Sequence, residues 1–155
     1  MGGRRYEVLG IVGRGSAGTV YHARMHGEGG FSKDVALKVL QPTGERDAAD
    51  IAQRLRDEAR VLGLVSHRAI VSVDALVQLD GRWTVVMEYV PGANLFDLTH
   101  AETDPSDTGR RALPARVAVE IVSELASALD VAFHTRGPDS QPLRLLHRDL
   151  KPSNL

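Results

Sequence analysis

Cysteine is absent from the 155 residues, which excludes disulfides, thiolate metal sites and thiol catalysis. Neither charge sign is in surplus: 19 basic and 20 acidic residues leave a formal net charge of −1. Such a chain has no basic excess to neutralise a phosphate backbone, so no nucleic-acid partner is expected. No apolar run approaches the roughly 20 residues that cross a bilayer. The start, Met1-Gly2-Gly3-Arg4-Arg5-Tyr6, lacks the apolar stretch of a secretory leader. Tyr6 also stands where a myristoylation signal has Ser or Thr. A cytoplasmic setting fits these absences. What is present is ordinary globular composition, 43% hydrophobic and 25% charged, at a length that suits one domain or part of a larger one.

The first ninety residues read mainly as strands. Tyr6–Val12 runs into a glycine cluster, and Thr19–Arg24 follows with β-rich alternation. Gly27-Glu28-Gly29-Gly30 is a turn, and Asp34–Leu40 is an apolar, buried strand. A helix is expected from about Asp47 to Val65, with Ile51, Leu55, Ala59 and Leu62 on one face. Strands near Val71–Leu79 and Trp83–Tyr89 flank Asp80-Gly81, a strong hairpin turn. Pro91-Gly92 breaks the chain and suggests a boundary between residues 1–90 and 91–155. Beyond it, Leu95–His100 is expected as a short helix, Thr103–Arg110 as a polar loop, and a long helix from Pro114 to about Thr135. Val117, Ile121, Leu125, Leu129 and Phe133 recur there at four-residue steps, with Val122 and Ala126 beside them. That wide stripe needs a covering partner.

Three segments carry chemistry. Gly13-Arg14-Gly15-Ser16-Ala17-Gly18 fits G-x-G-x-x-G, whose glycines let the backbone approach phosphate oxygens. Alone, the pattern fits a plain hairpin turn equally well. A dinucleotide-binding reading requires a helix after the third glycine, whereas Thr19-Val20-Tyr21 is strand-like. No Gly-Lys-Ser/Thr follows, so the Walker A pattern fails. Lys38 lies in the apolar strand Val35-Ala36-Leu37-Lys38, either snorkelling from an edge or paired with an acid. Glu58 can be that acid, or a surface charge among Arg54, Arg56 and Asp57. The third segment is His147-Arg148-Asp149-Leu150-Lys151-Pro152-Ser153-Asn154. Asp there can orient a hydroxyl, Lys can neutralise phosphoryl charge, and Asn can ligate Mg²⁺ through its amide oxygen.

Taken in order, these strings resemble the eukaryotic-like (Hanks-type) serine/threonine protein kinase family of bacteria: G-x-G-x-x-G-x-V, V-A-L-K, a helix glutamate, M-E-Y-V and H-R-D-L-K-P-x-N. The resemblance runs from about Tyr6 to the last residue. It implies an α+β, protein-kinase-like two-lobe fold. Residues 1–90 would form a complete β-rich N-lobe of five strands plus the αC helix, and residues 91–155 a hinge and truncated helical C-lobe. It implies ATP and Mg²⁺ as cofactors and protein Ser/Thr hydroxyls as substrates. Gly13, Gly15 and Gly18 would cover the ATP phosphates, with Val12, Val20 and Ala36 sandwiching the adenine. Lys38 would hold phosphates and pair with Glu58. Met87 falls at the gatekeeper position, the Glu88 carbonyl and Val90 amide at the hinge, and Asn94 near the ribose. Asp149 would be the catalytic base, Lys151 the γ-phosphate contact and Asn154 a Mg²⁺ ligand. Lys151 two residues after the Asp is similar to the serine/threonine form of the loop. His147-Arg148 before it is similar to forms regulated by activation-loop phosphorylation.

Some features depart from the family. Ala17 stands where an aromatic or Met often tips the glycine loop. The connection Gly137–Arg144 is longer than usual, similar to kinases of myxobacteria. No D-F-G or A-P-E triplet follows Asn154, so the 155 residues by themselves are expected to be inactive and, with the helix stripe uncovered, poorly soluble. Three readings remain open at this point: part of an active kinase, whose full length can be membrane-anchored, an inactive remnant that binds nucleotide or a protein partner, or a Rossmann-type dinucleotide binder. Sequence says nothing about dimerisation.

Overall fold

The structure is a computed structural model that describes residues 4–15, 18–40, 53, 59–100 and 112–155. Five strands form one antiparallel sheet: β1 (Arg5–Gly15), β2 (Gly18–His26), β3 (Ser32–Leu40), β4 (Val73–Leu79) and β5 (Arg82–Glu88), in the order β1-β2-β3-β5-β4. Asp80 and Gly81 join β4 to β5 with φ of 48° and 74°, the pair of positive angles that a type I′ hairpin requires. Most of the helix expected over Asp47–Val65 lies outside the described residues, as do Glu58, Ala17 and the loop Thr103–Arg110. Residues 59–62 are helical, and Gly63 N donates to Ala59 O at 2.9 Å.

Strand alternation divides the sheet into two faces. One carries Ala23, Met25, Val35, Leu37 and Val86, all buried, with Tyr6, Tyr21, Ala75, Val77 and Leu79 packed against them. This is the core. The other face carries Val20, Lys38 and Val85 in one rank and His22, Ala36 and Met87 in the next. β1 runs further than expected, because Gly13, Arg14 and Gly15 go on pairing with Val20, Thr19 and Gly18, and its register skips Leu9 and Val12. Each skip is a bulge that adds a residue and re-aims side chains. Val12 is left 56% exposed at the second of them.

The chain divides into two compact units: Met1–Ser66 with Ile70–Val90, and His67–Ala69 with Pro91–Leu155. The second contains α1 (Leu95–His100) and α2 (Ala115–His134). Asn94 caps α1: its Oδ1 accepts the Asp97 N–H at 2.8 Å and its Nδ2 donates to Asp97 Oδ2 at 2.8 Å. α2 corrects the expectation of a single stripe. A four-residue step turns the helix by about 40° beyond a full circle, so Val117 and Phe133 end up about 160° apart. Val117, Val122 and Phe133 are exposed, Ile121, Leu125 and Leu129 are half-buried, and the buried residue is Ala128. Beside it, Ser127 meets His67 Nε2 at 3.2 Å, and Glu124 receives both Arg68 Nε, at 2.8 Å, and Arg68 Nη2.

The Arg68 hydrogen bonds hold the Glu124 carboxyl below its ordinary value. Arg24, then His22, do the same for Asp34. A carboxyl depressed in the folded state stabilises it above its unfolded value and loses that contribution as pH falls through the folded one. The melting temperature is therefore expected to fall on acidification below about pH 4.5, Glu124's ordinary value. Glu124→Gln should flatten part of that fall in a thermal-melt series. An identical profile for the variant would contradict the assignment.

Candidate active site

In the second unit the chemistry gathers on the loop after α2. A compact turn leads into it: Leu143 N donates to Thr135 O at 2.8 Å and Arg144 N to Phe133 O at 3.1 Å. Arg148 has φ of 61°, a left-handed conformation uncommon for a non-glycine residue. Asp149 N, next along, donates to His147 Nδ1 at 3.3 Å. A short 3-10 turn over Pro152–Asn154 then brings Asn154 back onto Asp149. Asn154 Nδ2 donates to Asp149 O at 2.9 Å and to Asp149 Oδ2 at 3.0 Å. Lys151 Nζ lies 2.8 Å from the same Oδ2. The end of the loop is pinned to the start of α1, where Leu95 N donates to Leu155 O at 2.8 Å.

The Lys151 hydrogen bond, then that of Asn154, hold the Asp149 carboxyl below the usual carboxylate range. It is ionised at neutral pH and open to solvent, with a side-chain exposure of 63%. An ionised carboxylate with an ammonium and a primary amide on one oxygen can align a hydroxyl and accept its proton. Asn154 engages Asp149 through its nitrogen, which leaves the amide oxygen as a neutral donor for a cation. Among the described residues no group of three or more His, Asp or Glu is arranged to hold a metal ion.

In the first unit, Gly13 and Gly15 lie at the end of β1 and Gly18 opens β2, where it pairs with Gly15. These glycines differ in kind. A Cβ on Gly18, at φ +142°, would come within 2.1 Å of Val39 O, so packing against β3 demands glycine there. Among the described residues, a Cβ on Gly13 or Gly15 would meet nothing within 4 Å. The sheet does not require glycine at those two. Lys38 is half-buried between Val20 and Val85, and among the described residues its ammonium has no hydrogen-bond partner. Glu88 ends β5 with its carboxylate held by Ser72: Oε2 accepts from both N and Oγ, each at 3.3 Å. Val90, just beyond, is 60% exposed.

The protein kinase domain family matches residues 6–155. The chain belongs to the protein kinase family. This kinase chain is 33% identical over 153 residues to "Probable serine/threonine-protein kinase PknB" of Lactococcus lactis, covering 97% of itself and 21% of that protein. It is 36% identical over 149 residues to serine/threonine-protein kinase PknJ of Mycobacterium tuberculosis, covering 96% of itself and 22% of that protein. Tyrosine-protein kinase MasK of Myxococcus xanthus matches at 27% over 150 residues, covering 97% of the chain and 22% of that protein. The crystal structure of the M. tuberculosis PknI kinase domain superposes with a TM-score of 0.69 at 32% identity, over 96% of this chain and 52% of that one. The kinase chain thus spans about a fifth of these curated relatives and about half of the solved kinase domain. Its fold is the expected α+β kinase-like one, a five-stranded N-lobe with a truncated helical C-lobe.

Sequence expectations map onto this kinase chain unevenly. Asp149, Lys151 and Asn154 are in mutual contact. Val20, Ala36, Lys38 and Met87 share one face of the sheet. Glu58 lies outside the described residues. Asn94, expected near a ribose, uses both side-chain atoms to cap α1. Among the described residues no helix is long and apolar enough to cross a membrane.

Proposed function

We propose that this chain carries the nucleotide-binding and catalytic-loop parts of a cytoplasmic serine/threonine protein kinase, which transfers the γ-phosphoryl group of ATP to a Ser or Thr hydroxyl of a protein. The observation that carries this reading is the Asp149–Lys151–Asn154 cluster. Catalysis of this transfer is mostly positioning and electrostatic stabilisation, with little covalent chemistry asked of the protein. A carboxylate held below its usual range is a weak base, so Asp149 would act first by aligning the acceptor hydroxyl and would take its proton late. Lys151, released toward the transferring group, would offset charge on the γ-phosphoryl oxygens. The residues fit Mg²⁺ at one point: Asn154 would offer its amide oxygen. When bound, the cation neutralises phosphate charge. The acidic ligand of the family, the Asp of its D-F-G triplet, is not among these 155 residues, so they would not complete transfer alone.

On the sheet, Gly13 and Gly15 would admit the phosphates, and Lys38 would meet them from β3, steadied by Glu58. Val12, Val20 and Ala36 would enclose the adenine, with Met87 behind it and the Glu88 carbonyl and Val90 amide at its edge. Asn94 would reach the ribose with whatever bonding capacity its capping role leaves. The glycine geometry gives a sharp expectation. Gly18→Ala should lower the melting temperature of the chain, because of the 2.1 Å approach to Val39 O. Gly13→Ala plus Gly15→Ala should leave the melt unchanged and weaken ATP–Mg²⁺ binding by about tenfold or more, the loss of about one backbone–phosphate hydrogen bond to a charged group. A nucleotide panel tests the reading itself by calorimetry. ATP–Mg²⁺ should bind in preference to NAD⁺, and preference for NAD⁺ would overturn it.

A further inference from the structure

We propose that His22 is a positioning residue for adenine recognition, in which its ring, tied to Asp34 and stacked on Tyr89, fixes the backbone that presents the Glu88 carbonyl and the Val90 amide. The inference rests on the nucleotide-binding reading above and adds a residue to it.

Tyr89 lies one residue past the end of β5, outside the strand ladder, so cross-strand backbone pairing does not hold it. Its ring does meet a partner. The His22 and Tyr89 ring centroids are 3.8 Å apart with planes 8° from parallel. His22 is itself fixed, with Nε2 3.1 Å from Asp34 Oδ2, while Asp34 Oδ1 accepts the Arg24 Nε–H at 2.8 Å. The strands thereby supply an immobile plate, and the Tyr89 side chain leans on it. Glu88 is held on one side of Tyr89 by its Ser72 bonds, and Val90 follows on the other. The position matters as much as the contact. His22 stands two residues along β2 from Val20 and shares a rank with Ala36 and Met87, on the face proposed to enclose the base.

A purely structural pair would stabilise the sheet and leave ligand preference alone. A positioning pair would act on the base more than on the phosphates, because Lys38 and Gly13 flank Val20 one rank along that face from His22, and Gly15 pairs with Gly18 a further rank away. Calorimetric titration of the full-length gene product with ATP–Mg²⁺, GTP–Mg²⁺ and inorganic tripolyphosphate–Mg²⁺ separates the two. His22→Ala should raise the Kd for ATP by about two- to tenfold, the span of one aromatic pair. It should narrow the preference for ATP over GTP and leave the tripolyphosphate Kd unchanged. His22→Phe, which keeps a ring on Tyr89, should recover most of the loss, and Asp34→Asn should fall between wild type and His22→Ala. An unchanged ATP Kd in His22→Ala would overturn the inference alone, as would parallel losses for ATP and tripolyphosphate. If His22→Ala does not fold, His22→Phe and Asp34→Asn decide: equal ATP affinity and selectivity in wild type and Asp34→Asn would overturn it. A wild-type chain that binds no nucleotide would overturn the parent reading as well.

Discussion

Asp149→Asn should lower phosphoryl transfer by the full-length gene product by about 10²- to 10⁴-fold, the span usual for a general base, with the ATP KM nearly unchanged. The geometry makes this substitution unusually clean. Lys151 Nζ and Asn154 Nδ2 both donate to Asp149 Oδ2, at 2.8 and 3.0 Å. An asparagine oxygen can accept both bonds, so the loop keeps its shape. What disappears is the negative charge and the capacity to take a proton. The lysine ammonium then loses its counterion and is freer, which by itself would strengthen its hold on a phosphate. A fall in kcat without a rise in KM therefore assigns the loss to the carboxylate. Activity within about twofold of wild type would refute the role.

Lys38→Met should separate activity from stability in opposite directions. Lys38 stands between Val20 and Val85, half-buried on an otherwise apolar stretch of β3. An ammonium there pays a desolvation cost that a thioether of similar length does not. The melting temperature of the variant should be unchanged or higher. Transfer, in contrast, should fall by about 10²- to 10³-fold, as when one fixed donor to developing charge is removed. Parallel measurement of the thermal melt and of kcat/KM for ATP checks both halves. A variant that loses activity only in proportion to lost folding would make Lys38 a structural residue.

The parts of the account that were legible in sequence are those whose chemistry is local. The glycine hairpin, Lys38 on its apolar strand, and the Asp149–Asn154 loop each fit within a few consecutive residues. A short segment with strong backbone preferences places them without help from the rest of the chain. The Asp80-Gly81 hairpin was readable for the same reason. What escaped depends on accumulated geometry or on distant pairing. The α2 stripe was misjudged because four-residue steps drift around a helix, and Ala128, one position off that row, is the residue that becomes buried. The bulges at Leu9 and Val12 follow from the register against β2 and have no signature in β1 alone. The His22–Tyr89 stack joins β2 to the residue after β5, and no spacing rule connects them. One signal was available: β2 alternation puts His22 on the same face as Val20, and Asp34 lies where β3 returns past Arg24.

The central claim is that the Asp149 loop serves transfer to an aliphatic hydroxyl. Incubating the full-length gene product with γ-labelled ATP, Mg²⁺ and an acceptor protein, followed by phosphoamino-acid analysis, tests it directly. The account predicts label on serine and threonine, abolished in Asp149→Asn. Tight ATP binding with no label on any acceptor hydroxyl would contradict it and leave a nucleotide-binding remnant, and label confined to tyrosine would contradict the substrate class.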